Sequence, residues 1–166
     1  MIFVTVGTNE APFSRLLTAL AQLGDLGQEL VVQTAGAGVE LPNARCVEFL
    51  PYDEIVSSMR EATIVVTHAG VGSVLTALSV GKRPVVVPRL RRFGEAVDDH
   101  QVEFARQLGS TGLVRVVEDL AELRDALEPT EAVEPITLGP SPALVAALRA
   151  DLATVLDSER QAHGSG

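Results

Sequence analysis

Short runs of β-branched and apolar residues alternate along this chain with stretches in which apolar side chains recur every three or four positions. Ile2 to Val6, Leu30 to Thr34, Cys46 to Leu50, Thr63 to Thr67, Pro84 to Val87 and Leu113 to Val117 read as strands. Pro12 to Leu23, Tyr52 to Arg60, Ser73 to Val80, Val97 to Leu108 and Leu120 to Leu127 carry helical spacing between them. Ile64-Val65-Val66 and Val85-Val86-Val87 are apolar at every position, whereas a strand with one wet face alternates. Such strands need cover on both faces, which predicts an α/β chain with a doubly wound, mainly parallel sheet. In sheets of this kind ligands bind outside the carboxyl ends of the strands.

The rhythm holds over residues 1–128, taken as one domain, and breaks at 129–142, where Pro129, Pro135, Gly139, Pro140 and Pro142 mark a Pro-rich excursion. A final helix is expected over 143–157, with Leu144, Leu148, Leu152 and Val155 on one stripe. That stripe suits packing on the chain's own sheet or docking to another protein. The polar tail 158–166 is expected to be disordered.

Composition narrows the classes. A chain of 166 residues is enough for one substantial core. Its 22 acidic against 13 basic side chains give a formal charge of -9, which argues against a nucleic-acid-binding surface. The single Cys46 has no internal disulfide partner and lies in an apolar run, so a buried, inert thiol in a reducing cytoplasm is expected. The first residues read as a strand rather than a signal peptide, and no apolar run is long enough to span a bilayer. A membrane role would come through a partner.

Three loops carry the chemistry, each after an expected strand, so all three are expected at one sheet edge. In Gly7-Thr8-Asn9-Glu10 the glycine permits an unusual backbone angle and the short polar side chains suit either a ligand or a helix cap. In Val65 to Leu75 a strand runs through Thr67-His68-Ala69-Gly70-Val71-Gly72-Ser73 into a helix. Glycines let the backbone approach an anion, and the free N–H groups and dipole of the helix start favour it. The spacing is neither the dinucleotide fingerprint nor a Walker A loop. His68 suits a phosphate contact or a backbone hydrogen bond equally well. The third loop, Pro88 to Gln101, holds Arg89, Arg91, Arg92, Glu95, Asp98, Asp99, His100 and Gln101. Its arginines could face a diphosphate or an anionic membrane, or form a solvated basic loop, and its aspartates could cap a helix or bind sugar hydroxyls.

Taken in order, Ile2-Phe3-Val4-Thr5-Val6-Gly7-Thr8, Thr67 to Ser73, and Val87-Pro88-Arg89 followed by Gly94-Glu95 and Asp98-Asp99-His100-Gln101 resemble the glycosyltransferase family 28 C-terminal domain. The resemblance runs from about Met1 to Val117. It is strongest to stand-alone versions: the PssE and EpsF type subunits of exopolysaccharide synthesis, and the catalytic subunit of the dolichol-pathway N-acetylglucosaminyltransferase. It implies a Rossmann-like sheet equivalent to the C-terminal half of a GT-B glycosyltransferase such as MurG, the half that holds a UDP-sugar donor. A membrane-associated, PssD-like subunit would then supply the lipid-linked acceptor site and the general base, and the chain would be a cytoplasmic protein recruited to the inner face of the membrane.

By this resemblance Gly70, Val71, Gly72 and Ser73 face the donor diphosphate, with His68 beside them and Gly7, Thr8 and Asn9 opposite. Phe49 and Leu50 match the uracil-reading strand end, while Asp99, His100 and Gln101 match the group that reads sugar hydroxyls. Arg89 and Glu95 complete the expected substrate-binding set. Two positions depart from the pattern. Asn9 stands where a histidine is frequent, and Thr76 stands where MurG-like members carry a ribose-binding glutamate, a hydroxyl lacking the charge assistance of a carboxylate. The implied reaction is an inverting transfer to a polyprenyl-diphosphate-linked sugar, without a cofactor and, in the absence of a DxD cluster, without a metal. A non-catalytic UDP-sugar-binding module of a polysaccharide assembly is the competing reading, and self-association of the isolated chain stays open.

Overall fold

All six expected strands form, and every neighbouring pair runs parallel. The computed structural model describes residues 1–8 and 11–128. The excursion, final helix and tail expected over 129–166 lie outside the described residues, as does Asn9. The elements are β1 (Ile2–Thr5), α1 (Ser14–Gln22), β2 (Leu30–Gln33), β3 (Ala44–Val47), α2 (Tyr52–Glu61), β4 (Ile64–His68), α3 (Val71–Ser79), β5 (Val85–Val87), α4 (His100–Ser110), β6 (Arg115–Val116) and α5 (Leu123–Ala126). Short 3-10 turns occupy Arg91–Phe93 and Leu120–Glu122, so the helix expected over Leu120 to Leu127 is split into a turn followed by α5. Among the described residues no helix is long and apolar enough to cross a membrane.

The sheet order is β3-β2-β1-β4-β5-β6. β1 lies at the centre, with Thr5 level with Gln33 on one side and Thr67 on the other. Ile2, Val4, Val32, Val66, Val85 and Val87 point to one face, where Leu16, Leu17 and Leu20 of α1 and Leu123 of α5 cover them. Phe3, Val31 and Val65 point to the other, against Met59 of α2 and Ala77 of α3. Val86 shares that side with Leu78 of α3 and Phe104 and Leu108 of α4. Cover on both faces is why these strands can be apolar throughout.

β3 corrects two expectations. It begins at Ala44 rather than Cys46, because pairing with β2 sets Leu30 opposite Ala44 and Gln33 opposite Val47. Cys46 is exposed rather than buried. As an edge strand with a neighbour on one side only, β3 leaves Arg45 and Cys46 to solvent. Glu48, Phe49 and Leu50 then lead to Pro51, the N-cap of α2. Asp53 and Glu54 in the first turn of that helix and Arg60 in its last complement the dipole.

Candidate functional site

Strand order reverses between β1 and β4: β2 and β3 follow outward on one side, β5 and β6 on the other. Chain connections leave in opposite directions at such a point and open a crevice above the carboxyl ends of the strands. The two expected glycine loops, after β1 and after β4, flank it.

Gly7, just beyond β1, adopts φ +80, a left-handed conformation that an L side chain resists. Its N–H donates to Thr5 Oγ1 at 3.2 Å, while Thr5 Oγ1 in turn donates to Gln33 Oε1. Space supplies a second reason for glycine. A Cβ at Gly7 would lie 2.4 Å from Cε1 of His68, and a Cβ at Gly70 would lie 2.1 Å from its Nε2. The His68 ring is therefore wedged between the two glycines and sets the spacing of the two loops. Burial, followed by the positive charge of Arg89, pushes the His68 pKa down from 6.5 to about 4, with the Thr5 backbone pulling the other way. The imidazole is thus neutral at pH 7, and its Nδ1 is buried with no hydrogen-bond partner of normal geometry.

α3 starts at Val71, two residues earlier than its periodicity predicts, with Gly70 as N-cap at φ -79 and ψ 128. No side chain caps this end. Gly70 O accepts from Val74 N at 3.1 Å, whereas the N–H groups of Val71, Gly72 and Ser73 precede the first intrahelical bond. A Cβ at Gly72 would meet nothing within 4 Å. The two glycines thus differ in purpose: Gly70 makes room for His68, and Gly72 borders open space at an uncapped positive helix end. Thr76, one turn on, is buried and donates its hydroxyl to Gly72 O at 2.8 Å, which ties it to its own helix.

In the third loop Arg89 turns inward rather than facing a ligand, whereas Arg91 and Arg92 stay exposed. Arg89 is 0 % exposed and Glu95 2 % exposed. Arg89 donates to the carbonyl oxygens of Val6 (2.8 Å), Ala11 (2.7 Å) and Glu95 (3.2 Å). The Glu95 carboxylate accepts from Arg15 Nε at 2.9 Å and Nη2 at 3.0 Å, and from Leu90 N at 3.0 Å. Both residues belong to the support of the site, because burial of either charge requires the partners it has. Gln101 likewise turns inward, its Oε1 accepting from Arg89 N at 3.2 Å.

Asp98 accepts from His100 N at 3.1 Å and pairs with His100 Nδ1 at 2.7 Å, while Asp99 accepts from Arg91 N at 3.1 Å. These carboxylates pin the bend that delays α4 to His100, three residues later than its periodicity predicts. Thr8 is exposed beside Gly7. Leu50, at the carboxyl side of β3, shares the sheet edge but lies beyond β2 and β1 from the crevice.

The structure therefore gathers Gly7, His68, Gly70, Val71, Gly72 and Ser73 around one crevice and hangs the Pro88–Gln101 loop beside it. Arg15 and Phe13 escape the sequence reading. Arg15 reaches 80 positions along the chain to Glu95 and lies over the rings of Phe13 (5.4 Å) and Phe93 (5.3 Å). Phe13 also underlies Arg89, at 4.7 Å from ring centroid to guanidinium carbon. Nothing local distinguishes Arg15 from a solvated helix residue. The one available signal is an unpartnered Glu95 beside apolar neighbours.

Comparison with known proteins agrees with this fold. In solved structures the fold resembles that of the calicheamicin glycosyltransferase CalG4, with a TM-score of 0.58 and 22% identity over 95% of this chain and 39% of that one. Among curated proteins, the human UDP-N-acetylglucosamine transferase subunit ALG13 is 30% identical over 123 residues, 67% of this chain and 10% of that protein. The subunit of the same name from Yarrowia lipolytica is 45% identical over 56 residues, 34% of this chain and 26% of that protein. The chain thus spans between a tenth and about a quarter of the length of these relatives. The model of the glycosyltransferase family 28 C-terminal domain matches residues 1–134, a span that holds the crevice, both glycine loops and the buried arginine loop, and the chain belongs to that family.

Proposed function

We propose that this chain binds the UDP-sugar donor of a glycosyltransferase and works with a second, membrane-associated subunit of PssD-like type. The observation that carries the reading is the uncapped N-terminus of α3, open above Gly72, at the point where the strand order reverses. A diphosphate there would accept hydrogen bonds from the N–H groups of Val71, Gly72 and Ser73 and meet the positive end of the helix. His68, neutral and held by the glycines, can add a neutral hydrogen-bonding group without adding charge. As the sugar–phosphate bond breaks, the same fixed donors would stabilise the charge that develops on the leaving UDP. In this reading His100 and Thr8 would border the sugar. The relatives named above are described as subunits of a UDP-N-acetylglucosamine transferase, which favours that donor class and a partner.

The acceptor of this reading is a polyprenyl-diphosphate-linked sugar, brought with the general base by the partner at the inner face of the membrane. Titration calorimetry tests the donor site: UDP should bind the full chain, and Gly72→Asp, which sets a carboxylate into the open seat, should abolish binding while the fold persists. Absence of binding by the unmodified chain, or equal binding by the variant, refutes it. Transfer from UDP-N-acetylglucosamine with the partner present separates an enzyme subunit from a binding module.

A further inference from the structure

Two of the three loops at the carboxyl edge are fastened to one another from beneath by a side chain that does not reach the crevice. Val6 and Ala11 are the two feet of the loop that leaves β1, and Glu95 lies in the loop that leaves β5. One guanidinium, that of Arg89, donates to the carbonyl oxygens of all three. Its guanidinium carbon lies over the Phe13 ring, 4.7 Å from the centroid. The Glu95 carboxylate does not cap the charge directly, since Arg15 and Leu90 N take its oxygens. Arg89 therefore meets carbonyl dipoles, and a full positive charge stands below the crevice, near enough to His68 to help keep that ring neutral. Burial lowers the Arg89 pKa, Glu95 opposes it, and an arginine remains charged at any physiological pH.

We propose that Arg89 is a positioning residue for the diphosphate end of the site: it locks the β1 loop against the β5–α4 loop and holds positive charge under the seat without touching the ligand. The ligand named here rests on the donor-site reading above. Lysine keeps the charge but has no planar fork to span three carbonyls, whereas methionine loses both charge and fork.

Two measurements on the full chain decide the matter. The first compares UDP with uridine by calorimetry for the unmodified chain, Arg89→Lys and Arg89→Met. Arg89→Lys should weaken UDP by about tenfold and Arg89→Met by more, with uridine changed less than about twofold. A merely structural role would weaken both ligands alike, and that result, like unchanged UDP binding, overturns the proposal. The second is amide hydrogen exchange without ligand. In Arg89→Lys the segment at Val6, Gly7 and Phe13 and the segment Leu90 to Gln101 should lose protection together while β4 and α2 keep theirs. Unchanged or independent exchange of the two segments overturns the clasp.

If the Arg89 variants fail to fold, Phe13→Leu removes the ring beneath the guanidinium and should give the same paired and selective losses, smaller in size. If the unmodified chain binds no UDP, the donor-site reading fails and takes the ligand assignment with it. The exchange result then still supports or refutes the clasp.

Discussion

The loop after β4 and the loop after β5 stand side by side at the same sheet edge and are fixed by opposite means. The first is fixed by packing: His68 is wedged against Gly7 and Gly70, and among the described residues no ion pair takes part. The second is fixed by charge: Arg89, Glu95 and Arg15 join backbone carbonyls and one another in a buried polar network. On the proposed donor-site reading, the contrast follows from what each loop presents. A seat for an anion needs its N–H groups left open, so side-chain acceptors would compete with the ligand there. A longer loop with no regular ladder needs its own polar groups satisfied, and the buried network does most of this, leaving Arg89 Nε without a partner.

Three substitutions or conditions probe this contrast, in descending order of effect. Arg15→Ala removes the partner of a buried carboxylate, Glu95 being 3 % exposed at the side chain, and should cost about 4 kcal/mol in denaturant unfolding. Should the loss be under about 1 kcal/mol, the charged network is not what holds the β5–α4 loop. Acid is next. The unfolded chain takes up a proton at His68 below its ordinary 6.5, whereas the folded chain does so only near 4. Between those values the unfolded state binds more protons, so stability should fall as pH drops through this window. The full effect is about 3 kcal/mol, and His68→Gln should remove this part of the acid sensitivity. Gly70→Ala, the smallest, drives a methyl into the ring and should cost about 2 kcal/mol. Combining it with His68→Ala should recover part of that cost, and strict additivity of the two would show that the ring and the glycine do not compete for space.

Much of the fold is legible because burial on both faces forces strands to be apolar at every position. Ile64-Val65-Val66 and Val85-Val86-Val87 announce themselves, and the doubly covered sheet bears them out. The edge strand does not, since Arg45 and Cys46 face solvent and its start depends on register with β2. The glycine loops were legible for a similar reason: glycine has few other grounds for sitting between a strand and a helix. Their division of labour was not, because Gly70 and Gly72 look alike until His68 is placed beside one of them.

The polar loop misled most. Arg89, Glu95 and Gln101 have the residue types of a ligand-binding loop, and all three turn inward to hold backbone and one another. A charged side chain reads the same in a sequence whether it faces a ligand, water or a buried partner.

By itself the sequence determined the parallel, doubly covered sheet and the places where the backbone must approach closely, since both depend on residue types repeated at short range. Tertiary structure alone decided which polar groups are buried and with whom. Arg15 meets Glu95 across 80 positions and Arg89 meets Val6 across 83, and no local pattern records a pairing that exists only once the sheet has brought those strands together.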